Sequence, residues 1–174
     1  GSFCDADFMQ KYLGLRAEWV DLTEVLRRIT LEIYDKDEYE KALKWIKANC
    51  KEGFDKNAGK TFPEIIKKSK VVPADKDWEF IAKFTIIVRD ILFGNPKLGE
   101  MGWKEEALGR NGIVGGFQGQ RMWTDWLPNG DFTEAIMASS FDWNGKKAPF
   151  AFATENDTLN GISMLFATLL TGKA

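Results

Sequence analysis

Between Lys76 and Phe93 the chain carries Trp78, Phe80, Ile81, Phe84, Ile86, Ile87, Val88, Ile91, Leu92 and Phe93, so a helix here is apolar around most of its circumference. Such a helix is stable only when neighbours cover it on nearly every side. The spacing predicts a mostly buried central helix, stopped by Gly94-Asn95-Pro96. A chain of 174 residues with 44% apolar content can build one sizeable core around it, and two domains would be a stretch.

The remaining elements follow from periodicity and capping. Asp5 opens an amphipathic helix with Phe8, Met9, Tyr12 and Leu13 at helical spacing, and Gly14 ends it. Ala17 to Leu22 alternates as a strand, and Thr23 starts a helix with Val25, Leu26, Ile29 and Ile33 on one side. Asp37 opens another helix, with Tyr39, Ala42, Leu43, Trp45 and Ile46 as its apolar stripe, and residues 51 to 62 read as a surface loop. After a short helix from Trp103 to Leu108, the glycine-rich run Asn111 to Gly119 holds a second strand with Gln118 at its carboxyl end. Helical pieces from Gln120 to Leu127 and Phe132 to Ser139 precede a tryptophan-bearing turn and a third strand, Phe150 to Ala153. Strands separated by helices predict an α/β fold. The expected class is a three-layer, open, mainly parallel sheet flanked by helices, Rossmann-like or flavodoxin-like, with a partial sheet of three strands.

The stretch Ala148 to Gly161 is an apolar strand that runs into an acidic, amide-rich turn and then a helix, Leu159 to Leu170. In open α/β sheets ligands bind at the carboxyl ends of the strands, which is where this layout delivers Glu155. Asp157, just ahead of the helix, suits N-cap duty better than metal binding. The chain has no histidine, so the commonest general base and the commonest transition-metal ligand are both missing. Its chemistry must rest on carboxylates, amides or lysines, or be completed by groups from elsewhere.

Other function classes lose support on composition. Lys and Arg number 24 against 26 Asp and Glu, with the signs interspersed, so no face is aimed at nucleic acid or an anionic membrane. A small polar ligand is the expected partner. Cys4 and Cys50 stand far apart without C-x-x-C spacing, which predicts neither a disulfide scaffold nor a zinc site and fits a reducing, cytoplasmic setting. No apolar run reaches membrane-spanning length. The Gly112 to Gly119 stretch lacks both phosphate-loop patterns, and Lys67-Lys68-Ser69-Lys70 reads as a solvated loop or helix end. Trp123, Trp126 and Trp143 fit core or interface anchors better than sugar-stacking platforms.

Five ordered blocks carry a resemblance. They are Gly116-Phe117-Gln118-Gly119-Gln120-Arg121, Trp123-Thr124-Asp125, Pro128-Asn129-Gly130-Asp131, Ser139-Ser140-Phe141-Asp142-Trp143-Asn144-Gly145, and Ala153-Thr154-Glu155-Asn156-Asp157 with Leu159-Asn160-Gly161. In order and spacing they resemble the L-fucose isomerase family. Upstream, Val20-Asp21-Leu22-Thr23-Glu24, Arg27-Arg28-Ile29 and Ile33-Tyr34-Asp35 do so too, so the similarity covers essentially the whole chain. It is to the family's second, middle domain. Enzymes of that family are several times longer, with a domain on either side, so residues 1–174 read as one α/β domain of a larger enzyme.

The resemblance implies aldose–ketose isomerisation of L-fucose to L-fuculose, and of D-arabinose to D-ribulose, through a cis-enediol with a divalent metal, usually Mn²⁺. Such a step needs a base to move a proton between adjacent carbons and a cation for the two sugar oxygens. Glu155 falls on the family's glutamate that ligates the metal and accepts the proton, and Gln118 on its sugar-contacting glutamine. The remaining ligands, a carboxylate and a histidine, are expected beyond Ala174, so the chain alone is expected to be inactive. Homohexamers with sites completed between subunits are also implied. The rival reading from another class is a non-catalytic sugar-binding or assembly module with the same fold.

Overall fold

The computed structural model describes residues 5–51, 77–117 and 130–172. Helix α1 (Ala6–Leu13) begins where expected, with the Asp5 carboxylate accepting the Asp7 N–H at 2.7 Å, and ends on Gly14 in the left-handed region. The strand expected over Ala17 to Leu22 does not form. Residues 14–21 adopt no regular element, and no described strand pairs with them. Trp19 is 66% exposed, so the alternating pattern has no sheet face to bury itself against. Asp21 instead accepts the Thr23 N–H at 2.8 Å and opens helix α2 (Leu22–Thr30).

Ile33, expected on the apolar side of that helix, lies beyond its end yet is fully buried. The helix stops in a Schellman arrangement: Ile33 N–H donates to the Arg28 carbonyl at 2.8 Å, and Glu32 N–H to that of Ile29 at 3.3 Å. Glu32 occupies the left-handed position at φ 56, where glycine is usual, and an ion pair to Lys36 at 2.8 Å bridges the break. Asp35 then caps helix α3 (Lys36–Asn49) through the N–H groups of Asp37 and Glu38.

Helix α4 (Asp77–Phe93) is the expected buried centre, with Phe80, Phe84, Ile86, Ile87, Val88 and Ile91 all in the core. Helices α2 and α3 cover part of its surface. The stop after Phe93 is brief, because Asn95 caps a short helix α5 (Pro96–Glu100) with Pro96 in its first turn. The helix expected over Trp103 to Leu108 is a series of turns instead. Backbone from the following segment is needed elsewhere: Arg110 N–H and Gly112 N–H donate to the last carbonyls of α4, Ile91 and Leu92, at 2.9 and 3.0 Å.

Strands β1 (Gly115–Gly116) and β4 (Phe152–Ala153) pair in parallel, Gly115 opposite Phe152 and Gly116 opposite Ala153. Between them lie helix α6 (Asp131–Ala138) and an antiparallel hairpin, β2 (Phe141–Asp142) with β3 (Gly145–Lys146), where the sequence reading has only a turn. Asp142 makes that turn by accepting the Asn144 N–H at 2.6 Å. Successive strand residues face opposite ways. Phe152 joins the core of α4 and α6, whereas Ala153 meets helix α7 (Thr158–Thr171). The parallel pair therefore has helices on both faces, giving a mixed, largely helical fold with a small partial sheet.

Glu38 ties three of these elements together. Its Oε1 accepts from Arg89 Nη1 at 2.6 Å, Trp143 Nε1 at 2.7 Å and Asn144 Nδ2 at 2.8 Å. Burial alone would raise this carboxyl's pKa, but the hydrogen bonds from Arg89, Trp143 and Asn144, with the Arg89 charge, outweigh it and hold the pKa below the usual carboxylate range. A depressed folded pKa stabilises the fold above the unfolded pKa, and that contribution disappears as pH falls through the folded value. Glu38→Gln weakens three hydrogen bonds to a charged acceptor and should destabilise the fold at neutral pH by about 1.5–3 kcal/mol. In urea titrations the gap to the parent should close as the pH is lowered through the acid side of the carboxylate range.

Candidate functional site

The candidate site is built on the exit from β4. After Ala153 the chain makes a single 3₁₀ turn, Thr154–Asn156, and Asp157 N–H closes it on the Thr154 carbonyl at 3.1 Å. Glu155 sits inside this turn at φ 53 and ψ 26, in the left-handed region, with its side chain exposed. That conformation costs a non-glycine residue about 1–2 kcal/mol. Backbone strain of this kind persists only where the surroundings over-determine it, and it is common at functional positions.

The over-determination comes from α7. Asp157 is its N-cap, accepting the Asn160 N–H at 3.2 Å through Oδ1 and the Gly161 N–H at 2.8 Å through its carbonyl. N-cap duty, favoured for Asp157 from the sequence, is thus what the residue performs. Gly161 lets the helix approach the sheet closely. A Cβ there would lie 3.2 Å from both the Ala153 Cβ and the Val114 Cγ2. The turn bearing Glu155 is fastened at one end to a parallel ladder and at the other to a capped helix.

Gln118 lies outside the described residues, as do Trp123, Trp126 and the helix expected over Gln120 to Leu127. Gly116 and Ala153 are the last paired residues of the ladder, and both strands leave it at the same end. In chain position Gln118 stands two residues past Gly116, as Glu155 stands two past Ala153. Trp143 is a core anchor rather than a sugar platform: it is buried, its indole N–H is held by Glu38, and the Arg89 guanidinium lies 5.8 Å from its ring centroid. Burial pushes the Cys50 thiol pKa up, which makes it a poor nucleophile.

Among the described residues no three His, Cys, Asp or Glu side chains converge to hold a metal. Carboxylate oxygens are the donor type that hard cations prefer, and Glu155 is an exposed carboxylate of that type. A pocket of about 230 Å³ lies elsewhere, between Phe93, Ile136, Met137, Trp143, Pro149 and Phe150. Two cations also line it, and both are engaged: Arg89 with Glu38 and Asp90, Lys147 with the carbonyls of Met137 and Ser139. The sequence reading missed that pocket and the Glu38 cluster. The only signal for either was the Asp142-Trp143-Asn144-Gly145 block, whose partners lie about a hundred residues upstream.

Fold and site together define an α/β module that presents a carboxylate at the carboxyl edge of a parallel strand pair. The chain matches the family described as L-fucose isomerase, second N-terminal domain, over residues 1–172, and it belongs to that family. It is 70% identical over 174 residues to the L-fucose isomerase of Clostridium perfringens, a match that takes in all of this chain and 29% of that protein. The L-fucose isomerase of Vibrio vulnificus is 56% identical across all of this chain, which covers 28% of it. That of Bacteroides fragilis is likewise 56% identical, with 29% covered. The chain thus spans less than a third of the length of these curated relatives. No helix among the described residues is long and apolar enough to cross a membrane.

The close contact at Gly161 supplies a test of the backing beneath Glu155. Gly161→Val forces side-chain bulk into the α7–β4 contact and should destabilise the fold by about 1–3 kcal/mol. Thermal and urea unfolding of the variant against the parent would read it directly.

Proposed function

We propose that this chain is the glutamate-bearing α/β domain of an aldose–ketose isomerase that interconverts L-fucose and L-fuculose, and D-arabinose and D-ribulose. The observation that carries this reading is Glu155. It is an exposed carboxylate in a left-handed turn at the end of a parallel ladder, in a chain 70% identical to a protein named L-fucose isomerase. The β1–β4 pair, with helices on both faces, is read as part of a three-layer, open, mainly parallel sheet of Rossmann-like type. Residues 1–174 form one domain of a longer polypeptide, which works in the cytoplasm as a homohexamer.

In the mechanism Glu155 takes the proton from C2 of the open-chain sugar and returns it to C1, while the proton of the C2 hydroxyl passes to the C1 carbonyl oxygen, so that the aldose goes through a cis-enediol to the ketose. The turn that carries it is anchored to β4 and α7, which limits backbone movement beneath the carboxylate during both transfers. Gln118 binds a sugar hydroxyl through its amide and orients the chain of carbons past the base. A divalent ion, Mn²⁺ by preference, supplies positive charge for the two sugar oxygens when bound, with Glu155 as its ligand from this chain.

In the full-length enzyme, Glu155→Gln keeps the side-chain volume and removes the base. Isomerisation should fall by about 10²–10⁴-fold, with the circular dichroism spectrum and melting temperature unchanged; near-normal turnover in a folded variant would refute the assignment. The 174-residue chain alone should show no measurable fucose turnover. By calorimetric titration it should bind Mn²⁺ only weakly, because a single carboxylate is too few ligands, and tight stoichiometric binding would contradict the proposed ligand set.

A further inference from the structure

The strand ends that lead to Gln118 and Glu155 are joined by rings. Phe152 on β4 lies opposite Gly115 on β1, and a Cβ on that glycine would stand 3.0 Å from Phe152 Cε2, so the ring lies against the neighbouring strand. Phe117, the residue after β1, packs on the same ring with centroids 4.9 Å apart, and Phe84 of α4 lies 5.1 Å from Phe117. Gly130, the N-cap of α6, brings a further element onto Phe117. A Cβ there would come within 2.6 Å of Phe117 Cδ2, so the backbone approaches the ring as only a glycine allows. Phe117 is thus held by α4, β4 and the start of α6 at once.

Chain position gives this packing its consequence. Phe117 immediately precedes Gln118, and Phe152 stands three residues before Glu155. Rings in a close-packed interior cannot change their separation without opening a gap or forcing an overlap. We infer that Phe117 is a positioning residue: its ring, wedged between Phe84, Phe152 and Gly130, sets the offset between the strand exits that carry Gln118 and Glu155. The inference rests on the roles proposed for those two residues. Phe117 acts only through their relative placement, and a misplacement of about 1 Å is enough to slow a reaction by about a hundredfold.

A double-mutant cycle in the full-length protein tests it, with kcat for L-fucose as the readout. Phe117→Leu keeps an apolar side chain but removes the ring, and should lower kcat by about 10–100-fold. In a Gln118→Ala background the same substitution should lower kcat by no more than about threefold, because the offset ceases to matter once one of the two groups is gone. Ile46→Ala, at a fully buried position on α3, is the control: it should lower the melting temperature and leave kcat near the parent's. Gly130→Ala displaces the same ring with a methyl group and should show the same dependence on Gln118, which keeps the test decisive should Phe117→Leu fold poorly. A parent-like kcat in both folded ring variants, or a loss just as large in the Gln118→Ala background, would overturn the inference and leave the role of Glu155 standing. Glu155→Gln measured alongside separates the two failures: parent-like turnover there sinks the proposed function, and the inference with it.

Discussion

A helix that is apolar on nearly every side must be wrapped, and that requirement organises this molecule. Helix α4 places Phe84, Ile86, Ile87 and Ile91 around its circumference, so neighbours have to arrive from several directions at once. Helices α2 and α3 supply one coat; α6, Phe117 and Phe152 supply another. Rings connect the helix to the sheet, with Phe84 5.1 Å from Phe117 and Phe117 4.9 Å from Phe152 between centroids. Phe152 is the strand residue next to Ala153, so the same packing that shields α4 also fixes where β4 ends and the turn of Glu155 begins.

Polar groups inside this core act as registers. Thr85 and Thr133 share a hydrogen bond of 2.7 Å that aligns α4 with α6. One turn further along α4, Arg89 reaches Glu38 on α3, and Glu38 in turn holds the Trp143 indole and the Asn144 amide of the hairpin. An apolar contact tolerates sliding, whereas a carboxylate with three donors on two other elements does not. The hairpin precedes β4 directly, so this cluster sets the line along which the chain enters the parallel pair.

Much of this was legible in the sequence where the governing signal is local. The α4 pattern, the Asp5 cap with Gly14, and the cap at Asp157 each depend on residues within a few positions of one another, and each appears as read. The failures share a different cause. Ala17 to Leu22 alternates like a strand, yet a strand exists only with a partner, and none among the described residues is there. Trp103 to Leu108 has helical composition, but the carbonyls at the end of α4 claim the backbone just beyond it. Glu32 stands where glycine usually marks a helix end, so the sequence offered no stop signal between Thr30 and Ile33. The left-handed turn at Glu155 was equally invisible, because glutamate carries no preference for that region. Its placement at the sheet edge came from the strand–turn–helix layout, and the role proposed for it rests on the resemblance to L-fucose isomerases.

That silence about Glu155 has its own meaning. Glycine or asparagine would adopt φ 53 at lower cost, so local conformation does not explain a glutamate at this position. Neither does capping, since Asp157 already performs it for α7. Neither does core packing, because the side chain is exposed. What glutamate adds over glycine or asparagine is a charged oxygen donor at the end of a longer arm, on a turn clamped between a parallel ladder and a helix that approaches within a glycine's width. That charge stands on a turn whose two ends are both fixed by ordered structure, so the backbone beneath it is set by the fold rather than by the glutamate itself.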